Sequence, residues 1–194
     1  MKRIGIYGGT FDPIHHAHLI LAREASEQLH LDEVIFVPAA ISPHKLDRSP
    51  TESDGRVEML RAAIAGETRL CLDEIELQRP PPSFTIDTVE SYVAANPDAE
   101  ICYLLGSDNL PRLHTWHRFA DLQRLVRFVI LNRGAKMSSC PYEMIHRQVD
   151  ISATQIRNRV ATGLSIRYLV PPAVEEIIRR RQLYTEPTRS PQKT

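Results

Sequence analysis

RIGIYGGTFDPIHHAHLILAREASEQL, residues 3–29, packs a strand, a glycine turn and a helix into one short run. Arg3–Tyr7 is rich in β-branched and aromatic residues and reads as a buried strand. His16–Leu29 carries apolar residues at Leu19, Ala22, Ala25 (or Ser26) and Leu29, the spacing of a helix face. The same alternation continues downstream. Val34–Val37 is a strand closed by Pro38. Ser53–Ala65 is helical, with Ser53 as N-cap and a stripe of Val57, Leu60 (or Met59) and Ile64. Leu70–Leu77 is extended. Thr85–Ala95 is helical and stops at Asn96-Pro97. Ile101–Leu105 and Phe128–Leu131 are strongly apolar strands that flank a short helix over Phe119–Leu125. Regular β-α alternation predicts an α/β fold with a doubly wound, mostly parallel sheet. Ligands in that class bind beyond the carboxyl ends of the strands, where the strand order reverses. Residues 8–15, 38–52, 78–84, 106–117 and 132–141 are therefore the loops to watch.

The C-terminal part reads differently. Ser152 with Gln155 three residues on forms a capping pattern, Gly163 is placed to end that helix, and Pro171-Pro172 opens a last helix to about Arg181. The expected organisation is one domain over residues 1–184, with 151–184 a small helical part and 185–194 a polar, disordered tail.

Composition bounds the function. With 194 residues a core forms without staples. A net charge of zero gives no whole-chain basic footprint, so no nucleic-acid partner is expected. The three cysteines (Cys71, Cys102, Cys140) are scattered, without a CxxC, as in a reducing cytosol. The apolar run after Met1-Lys2-Arg3 ends at Tyr7, too short for a signal peptide. No stretch approaches the ~18 apolar residues of a membrane span. A cytoplasmic protein without a membrane partner is expected; a homo-oligomer is left open.

Three histidines stand within four positions at the start of the first helix. Gly8 and Gly9 allow the backbone to turn and to approach a ligand closely. A helix start presents N–H groups and a positive dipole end to anions. His15 and His18, three apart, share a face there. Two imidazoles at a helix start suit a polyphosphate, donating to oxygens that gain charge during phosphoryl or nucleotidyl transfer. The competing reading is zinc on His15 and His18, with Asp12 or His16 as a third ligand. GxGxxG and GxxxxGK[ST] are both absent, against a dehydrogenase and a P-loop NTPase. At the second capped helix, Arg157 lies about one turn in and can fork onto the same anion.

At this point a resemblance appears. Residues 9–18, GTFDPIHHAH, resemble the GxFDPxHxGH signature of the HxGH-motif nucleotidyltransferase superfamily, and residues 151–157, ISATQIR, resemble its ISSTxIR motif. Ala17 stands where the superfamily has glycine, and Ala153 where it has serine. Further segments are similar to bacterial nicotinate-nucleotide adenylyltransferases: SPHK at 42–45, PSFTIDT at 82–88, GSDN at 106–109 and LHTWH at 113–117. The resemblance implies a Rossmann-like fold and the joining of ATP with nicotinate mononucleotide to give nicotinate adenine dinucleotide and pyrophosphate. It implies His15, His18 and Arg157 as catalytic residues. Gly8, Gly9, Thr10, Phe11, Gly106, Asp108, Ser152 and Thr154 would bind ATP. His44, Lys45, Thr85, Trp116, His117 and Arg133 would bind the mononucleotide. Mg²⁺ would arrive with ATP, without a metal site of the protein's own. The rival readings are a phosphopantetheine or other HxGH-type adenylyltransferase, and a catalytically impaired nucleotide-binding relative.

Overall fold

A computed structural model describes residues 1–40, 51–80, 82–135 and 139–185. Among these residues six strands form one wholly parallel sheet: β1 (Arg3–Gly9), β2 (Glu33–Pro38), β3 (Leu70–Leu72), β4 (Glu100–Gly106), β5 (Arg127–Asn132) and β6 (Glu143–His146). Their spatial order is β3-β2-β1-β4-β5-β6. The chain winds outward from β1 to β3, crosses back to lay β4 on the other side of β1, and winds outward again. The reversal therefore falls between β1 and β4, which pair in the register Ile4 with Ile101 and Tyr7 with Leu104.

Side-chain alternation splits the core into two layers. Ile4 and Ile6 of β1 join Ile101, Tyr103 and Leu105 of β4 under α3 (Thr85–Ala95) and α4 (Phe119–Leu125), which contribute Ile86, Val89 and Leu122. The opposite face packs Tyr7, Phe36, Leu104 and Val129 against four helices: α1 (His16–Gln28), α2 (Ser53–Ala63), α5 (Ala153–Ala161) and α6 (Pro172–Arg180). Burial on both faces is why the central strands read as unbroken apolar runs.

The α/β, doubly wound architecture predicted from the pattern is the one observed. Several boundaries differ, each for a local reason. The β3 ladder stops at Leu72 rather than continuing to Leu77, because the Asp73 carboxylate accepts the Ile75 N–H (2.9 Å) and turns the chain. Ser53 is the first helical residue of α2 and Glu52 takes the cap position; the helix closes at Ala63. α3 keeps the predicted bounds, Thr85–Ala95, with Phe84 in the cap position and its N–H donating to Asp87 Oδ2 (3.4 Å). The sequence pattern does not predict β6: within Glu143–His146 only Ile145 is buried, which leaves no periodicity to read. The 106–117 loop holds a 3₁₀ segment, Ser107–Thr115. Ser152 does cap α5, its Oγ accepting Gln155 N–H (3.2 Å), and Gly163 follows the helix at φ +71°. Of the tail expected over 185–194, residues 186–194 lie outside the described residues. Among the described residues no helix is long and apolar enough to cross a membrane.

Candidate functional site

The loop from β1 to α1 and the segment after β4 lie side by side at the carboxyl ends of the two central strands. A cavity of about 470 Å³ opens there, within the usual size range for small-molecule sites. Gly8, Gly9, Thr10 and Phe11 form one wall with His15 and His18. Gly106 and Asp108 come from the end of β4, Arg133 from the end of β5, and Ser152, Thr154 and Arg157 from the start of α5. Ala17 and Ala153, the two departures from the motifs, line the same cavity. His16 does not; its N–H donates to Leu169 O (3.0 Å), away from the cavity.

The two cavity histidines are held as a pair. Their rings stack at 3.7 Å with 19° between planes. The His15 backbone N–H donates to His18 Nδ1 (3.3 Å), so a neutral His18 carries its proton on Nε2. Phe11 and Tyr7 meet the His18 ring edge-on at 5.2 and 6.1 Å. These contacts fix the ring before any ligand arrives. His15 is wholly buried, and neither ring nitrogen has a hydrogen-bonding partner among the described residues. Burial, reinforced by the Arg133 charge, pushes its pKa down to about 3. His15 is thus a neutral imidazole at physiological pH, one nitrogen donating and one accepting. A buried polar group left unsatisfied is costly unless a ligand supplies the partner.

In the same cavity, Arg157 Nη1 donates to the backbone carbonyl of Asp12 (2.6 Å) and Nη2 to Thr154 Oγ1 (3.2 Å). Arg133 Nη1 donates to Ile151 O (3.0 Å), tying β5 to the approach of α5. Two helix starts and two guanidinium groups therefore surround one cavity, a concentration of positive potential suited to a polyphosphate. Among the described residues no group of three or more His, Cys, Asp and Glu side chains is arranged to hold a metal.

Three predicted residues lie elsewhere. Thr85, Trp116 and His117 do not line this cavity but gather around Tyr103 and Phe84. Trp116, partly buried, meets Tyr103 edge-on (5.8 Å, 88°), His117 lies 4.5 Å from the Phe84 ring, and the Thr85 hydroxyl hydrogen-bonds Tyr103. Ser83, just before α3, buries an Oγ with no partner among the described residues. Tyr103 itself links the two groups: a Cβ on Gly8 would fall directly onto its hydroxyl. Arg133 belongs to the histidine cavity and not to this aromatic group. His44 and Lys45 lie outside the described residues, although Ala39 and Ala40, just before that segment, line the cavity.

Sequence reasoning passes over Tyr103, Arg56 and Tyr184. Tyr103 is hidden inside an apolar strand. Arg56 is 1% exposed. Its signal is available, since Arg56 shares a helix face with Met59 and Leu60, where a charge needs a reason. Tyr184 stands beyond the last predicted helix and has none.

Residues 6–159 match the model of the cytidylyltransferase-like family. A probable nicotinate-nucleotide adenylyltransferase from Geobacillus thermodenitrificans (strain NG80-2) is 42% identical over 187 residues, which cover 95% of this chain and 87% of the relative. Another from Shouchella clausii (strain KSM-K16) is 44% identical, covering 95% and 97%. The fold is similar to that of a Plasmodium falciparum nicotinic acid mononucleotide adenylyltransferase complexed with NaAD, with a TM-score of 0.80 at 23% identity over 95% of this chain and 98% of that one.

Proposed function

Since the chain belongs to the nicotinate-nucleotide adenylyltransferases, within the cytidylyltransferase-like family, we propose that it joins ATP and nicotinate mononucleotide to give nicotinate adenine dinucleotide and pyrophosphate in NAD biosynthesis. One observation carries the chemistry: a cavity at the strand-order reversal lined by an unsatisfied, neutral His15, the stacked His18 and Arg157.

An oxygen of the mononucleotide phosphate attacks the α-phosphorus of ATP. The new bond is phosphorus–oxygen, and the bond to the β-phosphate bridging oxygen breaks. Pyrophosphate leaves with that electron pair. The nucleophile is already ionised near neutral pH, so no general base is required. The protein's task is to position two anions in line and to stabilise charge on the leaving group. His18, its Nε2 proton fixed by the hydrogen bond at Nδ1, donates toward the α-phosphate and bridging oxygen. His15 meets the outer phosphates, which answers its missing partner. Arg157 and the start of α5 hold the departing pyrophosphate. Gly8 to Phe11, Gly106, Ser152 and Thr154 shape the ATP side, and Asp108, exposed at the rim, suits a ribose hydroxyl or a hydrated cation. Thr85, Trp116 and His117 would take the pyridine ring beyond Tyr103, His44 and Lys45 the mononucleotide phosphate, and Arg133 the phosphates near His15.

Mg²⁺ is read as arriving with ATP and neutralising phosphate charge while it keeps much of its water. The donor set fits that role. The described residues build no metal cage, and of the two cavity carboxylates Asp12 has both oxygens engaged, leaving Asp108 at the rim. Residues 1–184 are read as one working unit, because Arg157 and Tyr184 both meet Asp12. A cytoplasmic setting is supported by the free Cys71, Cys102 and Cys140.

Pyrophosphate release with ATP and each pyridine mononucleotide in parallel tests the reading. Turnover with the nicotinate form is expected, and His18→Ala should lower kcat by roughly two orders of magnitude or more. Near wild-type turnover in folded His18→Ala protein would refute the mechanism; preference for the nicotinamide form would refute the acceptor.

A further inference from the structure

Asp12 is a junction of segments far apart in the sequence. Its Oδ1 accepts the Tyr184 hydroxyl (2.6 Å), its Oδ2 accepts the Thr51 N–H (3.2 Å), and its backbone carbonyl accepts Arg157 Nη1 (2.6 Å). Buried Arg56 braces the same place from α2. Its Nη1 donates to Thr10 O and its Nε to Thr51 O, both at 2.9 Å. The C-terminal segment is guided there by charge. Arg180 pairs with Glu58, while Arg181 pairs with Glu58 (2.6 Å) and Asp54 (3.1 Å), fastening the end of α6 to α2. The chain then turns through Gln182 (φ 52°) and Tyr184 (φ 63°) and delivers the phenol to the carboxylate.

We propose that Tyr184 and Arg56 are positioning residues: they hold the Thr10–Asp12 backbone so that the Asp12 carbonyl sets the guanidinium of Arg157 against His15 and His18. The inference rests on the reading of Arg157 as a pyrophosphate-binding group. The arginine has two alternative tasks, holding a ligand and satisfying a backbone carbonyl. Its ligand-facing geometry is therefore only as well defined as that carbonyl. The carbonyl is fixed by its own residue's carboxylate, and the carboxylate by a phenol 172 residues away in sequence. A displacement of about 1 Å at such a group is enough to lower turnover markedly. Burial and the neighbouring Asp12 charge both raise the Tyr184 pKa, so the phenol stays protonated and donating throughout the working range.

The test uses the full-length chain with Tyr184→Phe, which removes one oxygen, alone and combined with Arg157→Ala. Thermal melts first establish that each protein is folded. In the wild-type background, Tyr184→Phe is expected to lower kcat about tenfold, the size of one lost hydrogen bond to a charged group, while the KM for the mononucleotide stays within about twofold. In the Arg157→Ala background the same change is expected to lower kcat less than twofold, because the group it positions is gone. Arg56→Lys, which keeps the charge but cannot span both carbonyls, should repeat the pattern. Wild-type kcat in Tyr184→Phe overturns the proposal, and so does a full tenfold loss in the Arg157→Ala background, since a general packing defect multiplies with any other change. If the wild-type protein does not turn over these substrates, the functional reading fails instead. The positioning claim is then decided by affinity for a nonhydrolysable ATP analogue, which Tyr184→Phe should weaken only where Arg157 is present.

Discussion

Replacing His15 by glutamine removes one titrating group and with it one source of pH dependence in folding. In the unfolded chain this imidazole titrates near 6.5; in the fold, burial beside Arg133 lowers it to about 3. Between those values the unfolded chain binds a proton that the native protein does not. Stability contributed by neutral His15 is therefore fully present above pH 6.5 and is lost as pH falls toward 3. Each pH unit below 6.5 is worth about 1.4 kcal/mol for one such group, so at pH 5 the loss is about 2 kcal/mol. Glu76 acts with the opposite sign over an overlapping range, so the wild-type profile alone is not diagnostic. The difference between wild type and His15→Gln isolates the imidazole, because the other groups titrate alike in both. Urea unfolding at pH 7.5 and pH 5.0 measures it. Wild type should lose about 2 kcal/mol more than the variant between the two conditions. Equal losses would mean that His15 is not held neutral by burial, and the case for an unsatisfied imidazole awaiting phosphate would fall with it.

Gly8→Ala should lower activity and stability, since its methyl meets the Tyr103 hydroxyl; Tyr103→Phe should restore part of both, the next atom being the ring carbon at 3.1 Å. Melting temperatures and turnover of the two single variants and the double variant check this, and no recovery would contradict the close approach of Gly8 to the Tyr103 hydroxyl. Burial raises the Glu76 pKa to about 7, although Thr88 donates to its carboxyl (3.1 Å). A raised carboxyl stabilises the fold below pH 4.5 and loses that contribution as pH rises through 7. Glu76→Gln should therefore raise the melting temperature at pH 8 and change it little at pH 5. Trp116→Ala should raise the KM for the mononucleotide far more than that for ATP; equal effects in steady-state kinetics would make Trp116 a packing residue of the Tyr103 layer.

The first 29 residues carry most of what can be read. Strand, glycine turn and histidine-bearing helix follow one another without interruption, and every position from Ile4 to His18 except His16 is either buried or in the cavity. The sheet is legible because central parallel strands are apolar on both faces; β6, an edge with one buried residue, is not. Cavity residues placed by local geometry are visible as motifs: the Ser152 cap with Arg157 a turn beyond, and His15 and His18 on one face. Residues acting across the fold are not. Nothing in the spacing of Asp12, Arg56 and Tyr184 foretells that they meet, because their contacts depend on how α2 and α6 are laid against the sheet. Arg133 shows the same limit: its neighbours along the chain are polar loop residues, whereas its neighbours in space are His15 and the start of α5.

A parallel sheet has two open margins where unpaired backbone groups invite another chain. Here those margins are the shortest strands, three residues in β3 and four in β6, and the β6 margin begins at Glu143, paired with Arg127. The long apolar strands that build the cavity are all shielded by a neighbour on each side. The protein thus keeps its long apolar strands beneath its site, and among the described residues the sheet margins offer other chains only brief strands to template upon.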